Sequence, residues 1–436
     1  MIQTTDLRGL QPSHADLLAL VPRAHADVSA AMASAAALID AVRERGADAL
    51  FEQAERFDRV RPSTLRVDPA DIASAVDRLD PLVKEALVES IARVTEGSRA
   101  QVPTDVTTRP AAGAVIEQRW QPVARAGVYV PGGKAVYPSS VVMNVVPAQV
   151  AGVRSIAIVS PAQQEFGGGV HPTILGAAGL LGIDEVYAIG GAGAIGALAY
   201  GVPSIGLEPV QVITGPGNNF VAAAKQLVQG RVGIDAIAGA TEILVIADSS
   251  ADPVLVAVDL ISQAEHDEDA SAVLVTDSPG LADAVARELD RLVPATMSAD
   301  RVAVALRGPQ SAIVLVDDLA AAADFSNAYG PEHLEIQTTD DEAVLAMITS
   351  AGAVFVGPST PVSLGDYLAG SNHVLPTGGQ ARFSSGLGAY TFLRPQQIVR
   401  YDHDALGVVA DRLVALSRAE RLPAHGEAVA ARLSRP

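Results

Sequence analysis

The feature that most constrains this chain is a repeated order of apolar strand, glycine-containing loop and helix in its middle part. SIAIVS, EVYAIG and PVQVIT are each followed by such a loop and then by a helix-forming stretch. Apolar strands that alternate with helices are typical of parallel sheets covered on both faces. The alternation resumes after residue 241 with ILVIAD, SAVLVTD, AIVLVDD and AVFVGP. The pattern therefore predicts an α/β fold with two such units.

The segments around these units have a different pattern. Residues 1 to about 25 are predicted to form a short helical arm, and residues 26–102 repeat apolar side chains at steps of three and four, as helices do. Strand-like alternation surrounds Trp120, the only tryptophan in the chain. The last residues, from LGVVADRL onward, predict a helical tail interrupted at Pro423.

The composition excludes several classes of protein. Among 436 residues, 31 Lys and Arg oppose 50 Asp and Glu, so the net charge is −19, which disfavours nucleic acid and anionic membranes as partners. The chain has no cysteine, which excludes disulfides and thiolate ligands. The first 22 residues lack the pattern of a signal peptide, which favours a cytoplasmic location. The uncharged run Val186–Leu207 is rich in glycine, so we expect a strand, a loop and a small-residue helix rather than a membrane span.

Three glycine loops are candidate sites for a nucleotide or another anion. Gly191–Gly196 (GAGAIG) follows a strand and opens a helix, as the dinucleotide fingerprint does, and Glu208 is the nearest acid for a ribose contact. A tight packing turn between strand and helix is the alternative. The loops Val130–Gly133 and Gly215–Asn219 also follow strands, where ligands collect in open α/β sheets.

Two polar strings could carry chemistry. In SQAEH, Gln263 and His266 are three residues apart and share a helix face, so they could bind one cation. A histidine near the negative end of a helix dipole is the alternative. In YGPEHLE, the adjacent Glu332 and His333 could handle protons of different basicity. Solvated loop residues are the alternative there.

Two further strings contain candidate ligands. Asp366 and His373 lie in GDYLAGSNHVLPT, where a capped turn is the alternative, and His425 lies in ERLPAHG, where an exposed tail residue is the alternative. Imidazole, carboxylate and amide oxygen suit a divalent metal such as zinc. Local spacing alone does not bring these strings together.

Taken together and in order, these strings resemble the histidinol dehydrogenase family. The resemblance covers nearly the whole chain and rests on GVYVPGG, GPGNNFV, GIDAIAGATEILVIAD, DLISQAEHD, YGPEHLEIQT, GDYLAGSNHVLPT and ERLPAHGEAV. It implies two incomplete Rossmann-like domains, one inserted in the other, with small helical terminal domains. The implied division is residues 1–25 (arm), 26–128 with 241–380 (first domain), 129–240 (second domain) and 381–436 (tail). It also implies an intertwined homodimer that oxidises L-histidinol to L-histidine with two NAD⁺, the last step of histidine biosynthesis.

The resemblance also implies roles for individual residues. One zinc ion per subunit is expected on Gln263, His266, Asp366 and His425, with His425 supplied by the partner subunit. Glu332 and His333 are expected to be the proton-transfer pair. Thr241 and Glu420 are expected to bind the substrate together with His333 and the zinc ligands, with His373 as a further candidate. Tyr129, Gly193 and Asn218 are expected to contact NAD.

Three positions depart from the family pattern. Gly193 stands where the family usually has a glutamine that contacts the cofactor, and this exchange creates the apparent fingerprint. Ala240 replaces a proline beside Thr241, and Val362 replaces an acid four residues before Asp366. We expect these changes to tune activity rather than abolish it.

The absence of cysteine shapes the expected mechanism. Because no thiol can trap an aldehyde intermediate, the aldehyde must be hydrated, and the water needs a general base. We expect His333 to take the alcohol proton and Glu332 to activate the water. The alternatives are a family member that oxidises another small polar alcohol, a non-catalytic ligand-binding paralogue, and a metal-free Rossmann oxidoreductase.

Overall fold

A computed structural model describes residues 2–10, 12–20, 23, 28–132, 136–237 and 239–434, so Gly133 of the first glycine loop lies outside it. In the described part, fourteen strands form three sheets. The strands are β1 (Gln3–Asp6), β2 (Val106–Ala111), β3 (Ala114–Pro122), β4 (Arg125–Tyr129), β5 (Ser155–Ser160), β6 (Val186–Ala188), β7 (Val212–Thr214), β8 (Gly233–Ile234), β9 (Glu242–Ala247), β10 (Ser271–Thr276), β11 (Ala312–Leu315), β12 (His333–Gln337), β13 (Ala353–Val356) and β14 (Leu393–Tyr401).

Helices cover these sheets, which confirms the predicted α/β class. They are α1 (His14–Leu20), α2 (Val28–Arg45), α3 (Ala47–Gln53), α4 (Pro69–Arg78), α5 (Pro81–Ala100), α6 (Pro138–Ala151), α7 (Pro172–Leu180), α8 (Gly191–Tyr200), α9 (Asn219–Val228), α10 (Pro253–Ala264), α11 (Pro279–Leu292), α12 (Ala299–Arg307), α13 (Leu319–Tyr329), α14 (Asp341–Leu345), α15 (Val362–Tyr367), α16 (His403–Ala419) and α17 (Pro423–Leu433). A π-helical turn, Ala54–Asp58, follows α3.

The five-stranded sheet is parallel and has the strand order β6-β5-β4-β7-β8. In chain order, β4, β5 and β6 follow one another toward one side of the sheet, and the chain then crosses to β7 and β8 on the other side of β4. The order in which strands are added therefore reverses between β4 and β7. Doubly wound sheets bind their ligands at this position, beyond the carboxyl ends of the strands.

The six-stranded sheet is also parallel and has the order β1-β11-β10-β9-β12-β13. The order in which its strands are added along the chain reverses between β9 and β12. Every residue of β9, β10 and β12 is buried, as expected for central strands that are covered by helices on both faces.

The ends of the chain differ from the expected helical arm and tail. Residues 3–6 form the edge strand β1, which pairs with β11, and among the described residues up to position 25 only those of α1 are helical. In the tail, β14 pairs with β3 over nine residues in an antiparallel three-stranded sheet with β2. Strand pairing over such sequence separations has no local signal. Helices α16 and α17 confirm the remaining helical tail and pack on each other.

Helices α2 to α5 pack on the five-stranded unit, whereas α1 packs on α13. Helix α2 packs against α8 and α9, α4 against α7, and α5 against α6. This packing differs from the expected grouping of residues 26–128 with the later unit. The run Val186–Leu207 contains β6 and α8, as expected. Within the described ranges, no helix has both the length and the apolar character that a membrane crossing requires.

Candidate active site

The residues predicted to handle protons meet at the amino ends of β9 and β12. Thr241 immediately precedes β9, and Glu332 immediately precedes β12, which begins with His333. The two strands are neighbours, with His333 paired to Ile243. Parallel pairing therefore brings together residues that are about ninety positions apart in sequence.

Glu332 is buried and is held by its hydrogen bonds. Its Oε2 accepts from the Thr241 hydroxyl at 2.6 Å and from the Glu242 backbone N–H at 3.0 Å. Burial raises the pKa of Glu332 to about 8, although both hydrogen bonds lower it. A carboxyl group with a pKa near neutrality suits a general base.

His333 has one ring nitrogen engaged and the other free. Its Nδ1 lies 3.0 Å from the Glu242 main-chain oxygen. Because a carbonyl oxygen can only accept, Nδ1 carries the proton and Nε2 carries the lone pair in the neutral ring. Nε2 is buried and has no partner among the described residues. Burial lowers the pKa of His333, so the ring is a neutral base at physiological pH.

The predicted ligands from α10 and α15 lie beside this pair. Gln263 Nε2 donates to the Thr241 hydroxyl at 2.5 Å, so its amide oxygen is the atom that remains for a cation. Asp366 is near enough for its charge to raise the pKa values of His266, His333 and His373, while burial lowers all three. Four of the predicted site residues are thus within electrostatic reach of one another.

The donor chemistry fits a divalent metal, but one chain does not complete the expected ligand set. Neutral imidazole, carboxylate and amide oxygen are zinc ligands, and the buried Nε2 of His373 has no partner in the described part of the chain. His425, however, is an exposed residue of α17, and Glu420 is an exposed residue at the end of α16. Of the residues described, no three His, Asp or Glu side chains are grouped so that they could hold a metal ion.

The predicted cofactor residues lie at the carboxyl edge of the five-stranded sheet. Tyr129 ends β4, and its hydroxyl accepts a hydrogen bond from the Gly191 backbone N–H at 3.2 Å. Asn218 caps α9, with Oδ1 accepting from the N–H groups of Phe220 and Val221 at 3.0 and 3.2 Å. Gly215 has φ +113°, and a Cβ there would collide with the Tyr129 carbonyl. The loops after β4 and β7 therefore touch where the strand order reverses.

The apparent fingerprint lies on an unexpected strand. It follows β6, the third strand of this unit, whereas the dinucleotide fingerprint normally follows the first. Gly193 is buried, and a Cβ there would collide with the side-chain amide of Gln53, while Gly196 packs on Ile39. Both glycines thus permit close helix packing. Glu208, expected at the ribose, is exposed at the opposite edge, where its carbonyl accepts from Arg125 at 3.3 Å. That expectation was wrong, because sequence distance does not specify a sheet edge.

Two residues of the site were not predicted from the sequence. Glu242 is buried, and burial together with the charge of Glu332 raises its pKa to about 7. Its Oε1 accepts from the Gly378 N–H at 3.2 Å, and its Oε2 has no partner in the described ranges. Tyr137, which precedes α6, lies within electrostatic reach of Asp366. The only sequence signal was position, because each lies beside a recognised motif.

Comparison with known proteins gives one consistent family. The family model described as histidinol dehydrogenase matches residues 21–433. Histidinol dehydrogenase of Leifsonia xyli subsp. xyli is 70% identical over 431 residues, which cover 99% of each chain. That of Nocardia farcinica is 56% identical over 430 residues, covering 98% of this chain and 97% of the relative.

A solved structure has the same fold. The crystal structure of histidinol dehydrogenase from Elizabethkingia anophelis superposes with a TM-score of 0.91 at 31% identity, and the match covers 99% of this chain and 98% of the other. Sequence and structure comparisons therefore agree over the full length.

Proposed function

The chain belongs to the histidinol dehydrogenase family of oxidoreductases, and from this premise we propose that it oxidises L-histidinol through L-histidinal to L-histidine. The proposed reaction makes two hydride transfers to NAD⁺ and uses one zinc ion per subunit. One observation carries the proposal: a neutral imidazole with a free Nε2, His333, lies directly beside a buried carboxyl group with a pKa near neutrality, Glu332.

In the first step, His333 Nε2 takes the hydroxyl proton of the alcohol while a hydride leaves its carbon for the nicotinamide. The products are the aldehyde, the reduced cofactor and a protonated imidazole. Nδ1 stays bonded to the Glu242 carbonyl throughout, so the ring keeps the tautomer and orientation that the transfer needs.

In the second step, Glu332 takes a proton from water as the water oxygen bonds to the aldehyde carbon. As the hydrate forms, the protonated His333 gives its proton to the former carbonyl oxygen and becomes neutral again. The hydrate then loses a second hydride to a second NAD⁺, and His333 takes a hydroxyl proton. Water replaces a cysteine nucleophile because the chain contains no cysteine. The hydroxyl of Thr241 keeps the Glu332 carboxylate oriented through its 2.6 Å hydrogen bond.

Gln263, His266 and Asp366 of one subunit, with His425 of the partner subunit, are the residues that would hold zinc. When bound, zinc supplies ligand positions that orient the imidazole and amine of the substrate. The orphaned His373 Nε2 and the lowered pKa of His266 support the fit, because only an unprotonated imidazole binds a metal. Glu420 of α16 would reach the substrate from the same partner subunit.

The proposed homodimer is supported by apolar side chains left uncovered on the C-terminal elements. Val399 of β14 is 62% exposed, and Val408 and Leu416 of α16 are 70% and 66% exposed. Large apolar side chains with this much exposure are typical of surfaces that another chain covers. A cytoplasmic location is proposed with it, since a chain without cysteine suits a reducing compartment.

Counting reduced cofactor tests the reaction. The zinc-loaded full chain should form two NADH per histidine from histidinol. Glu332→Gln should slow oxidation of added histidinal by about 100-fold or more while leaving the alcohol step close to wild type. The exposed Glu342→Gln is the matched control. Equal losses in both steps would contradict the separate roles of His333 and Glu332.

Metal binding is tested independently of turnover. Zinc content of the purified chain, measured by mass spectrometry of the metal, should fall from one per subunit to near zero in His266→Ala. Histidinol should bind the chelated protein more weakly than the zinc-loaded protein. Unchanged histidinol affinity after chelation would rule out the orienting role of the metal.

A further inference from the structure

The five-stranded sheet lacks an acid where a ribose-binding acid is expected. In doubly wound sheets, an acidic residue near the end of the second strand binds the ribose hydroxyls of a dinucleotide. The second strand here is β5, which ends at Ser160 and is followed by Pro161 and Ala162. Glu208 lies at the opposite edge, as described above. The end of β5 itself therefore supplies no carboxylate at this position.

A carboxylate from outside the sheet occupies this position. Asp58, the last residue of the turn Ala54–Asp58, lies close enough to the Ala162 N–H for this group to lower the pKa of its carboxylate. The turn is held there by the Gln164 amide, whose Nε2 donates to the Arg59 carbonyl at 3.0 Å. Asp58 thus lies at the carboxyl end of β5.

The segment that follows runs along the sheet and determines where the turn lies. Val67 N–H donates to the Val186 carbonyl at 2.9 Å, and Ala188 N–H donates to the Leu65 carbonyl at 2.7 Å. These bonds pair the segment antiparallel to β6. Its earlier residues therefore lie toward the carboxyl end of β6, on the same side as Tyr129 and Gly191.

The carboxylate of Asp58 has few hydrogen-bond and ion-pair partners among the described residues. It is half-buried, and none of the ion pairs formed within the described part of the chain includes it. Burial raises the pKa of Asp58 to about 6, and the Asp58 charge contributes to the raised pKa of the buried Tyr129 hydroxyl. A desolvated carboxylate with one backbone donor can accept further hydrogen bonds from a ligand.

We propose that Asp58 binds the hydroxyl pair of the cofactor's adenosine ribose and selects the dinucleotide without a 2′-phosphate. This proposal rests on the proposed use of NAD. The two carboxylate oxygens match two adjacent hydroxyl donors. A 2′-phosphate would bring a negative charge against the Asp58 carboxylate, and repulsion between the two like charges disfavours the phosphorylated cofactor.

Binding of NAD⁺ and NADP⁺ to the full chain, measured by calorimetry, tests the assignment. Asp58→Asn should weaken NAD⁺ binding by about 10-fold or more, the effect of losing hydrogen bonds to a charged group, and should leave NADP⁺ binding unchanged or tighter. Glu55→Gln is the matched control, because Glu55 is an exposed acid of the same turn, paired with Arg61 at 3.4 Å. It should bind both cofactors as the wild type does.

The outcomes separate this proposal from the proposed function. Equal NAD⁺ affinity in Asp58→Asn and the wild type would overturn the role of Asp58 while leaving NAD as the cofactor. A wild type that binds no NAD⁺ would overturn both. Unchanged melting temperature and zinc content show that the variant is folded. If Asp58→Asn is unstable, Asp58→Ser gives the second measurement with the same expected loss of preference for NAD⁺.

Discussion

The Nδ1 of His333 lies 3.0 Å from the main-chain oxygen of Glu242, across the pairing of β12 with β9. The strand pairing therefore determines which ring nitrogen of His333 carries the proton. Since the bonded carbonyl belongs to a paired strand, Nε2 is oriented before any substrate arrives. Preorganisation of this kind saves the cost of reorientation during reaction.

Replacement of His333 by asparagine should separate orientation from chemistry. The asparagine amide can still donate to the Glu242 carbonyl but offers no base at the Nε2 position. We expect kcat for histidinol to fall by about 10²- to 10⁴-fold, with an unfolding midpoint close to that of the wild type. Steady-state kinetics and urea denaturation provide the measurements. Retention of more than a tenth of the wild-type kcat would exclude His333 as the base.

The aldehyde step should depend on pH through Glu332. Because burial raises the pKa of this carboxyl to about 8, the ionised base becomes more abundant as pH rises toward 8. The rate of histidinal oxidation should rise below pH 8 and level off above it. The pKa of His333 is lowered, so the alcohol step should stay flat from pH 7 to 9. Stopped-flow NADH formation from each substrate shows whether the two profiles differ. Parallel profiles would count against the assignment.

Thr241 should adjust this pH dependence. Its hydroxyl donates to Glu332 at 2.6 Å and thereby lowers the carboxyl pKa. Thr241→Val removes the donor at nearly constant volume, so the apparent pKa of the aldehyde step should move upward. Thr241→Ser keeps the donor and is the control. An unshifted profile in the valine variant would mean that this hydrogen bond does not govern Glu332.

A second buried acid should make folding stability depend on pH. Glu335 lies on the same strand face as His333 and is 1% exposed. Burial and the neighbouring Asp259 raise its pKa to about 9, and Gln337 donates to both carboxyl groups, at 3.0 and 3.5 Å. At neutral pH the two acids therefore share one proton.

The direction in which the free energy of unfolding changes with pH follows from which state, native or unfolded, binds the proton. Between the unfolded pKa of about 4.3 and the folded value, the native state holds a proton at Glu335 that the unfolded chain has lost. The free energy of unfolding should therefore fall as pH rises through this window. Glu335→Gln keeps a neutral donor but cannot titrate, so the slope should be shallower by up to about 1.4 kcal/mol per pH unit. Urea denaturation at pH 6, 7 and 8 measures both slopes, and identical slopes would argue against the shared proton.

Gly193→Ala should destabilise the protein despite the better helix propensity of alanine. A Cβ at Gly193 would collide with the amide of Gln53, which donates to the Leu38 carbonyl at 3.1 Å. Overpacking of this kind costs about 1–3 kcal/mol, measured as a loss in the free energy of unfolding. Gly407→Ala in α16 is the control, since a Cβ there meets open space. Adding Gln53→Ala should relieve the loss; failure to do so would exclude this contact as the cause.

The sequence predicted the parts of the fold that local patterns encode. The apolar strands ILVIAD and SAVLVTD are β9 and β10 in the structure, and the run after Val186 is a strand followed by a small-residue helix. The edge strand Gln3–Asp6 and the strand Leu393–Tyr401 were missed, because the strands that they pair with are hundreds of residues away in sequence. His333 lies at the start of a strand, whereas the sequence pattern gave no strand there and left a solvated loop as the alternative.

The same reasoning explains which parts of the site were predictable. Glu332 and His333 were recognisable because they are adjacent in sequence, and the ligand candidates because they lie in short polar strings. Asp58 and Glu242 carry no such signal, since their importance depends on which sheet edge they reach. His425 was identified only through the family resemblance, and its role as a ligand stays a prediction.

The proposed proton-transfer residues lie at the amino ends of β9 and β12, and the proposed cofactor residues lie at the carboxyl ends of β4 and β7 in the other sheet. The hydrogen bonds that hold Glu332 and His333 come from Thr241 and Glu242, and none comes from the five-stranded sheet. Exchange of one redox carrier for another is therefore best attempted in the loops around Tyr129, where substitutions leave the contacts of Glu332 and His333 in place.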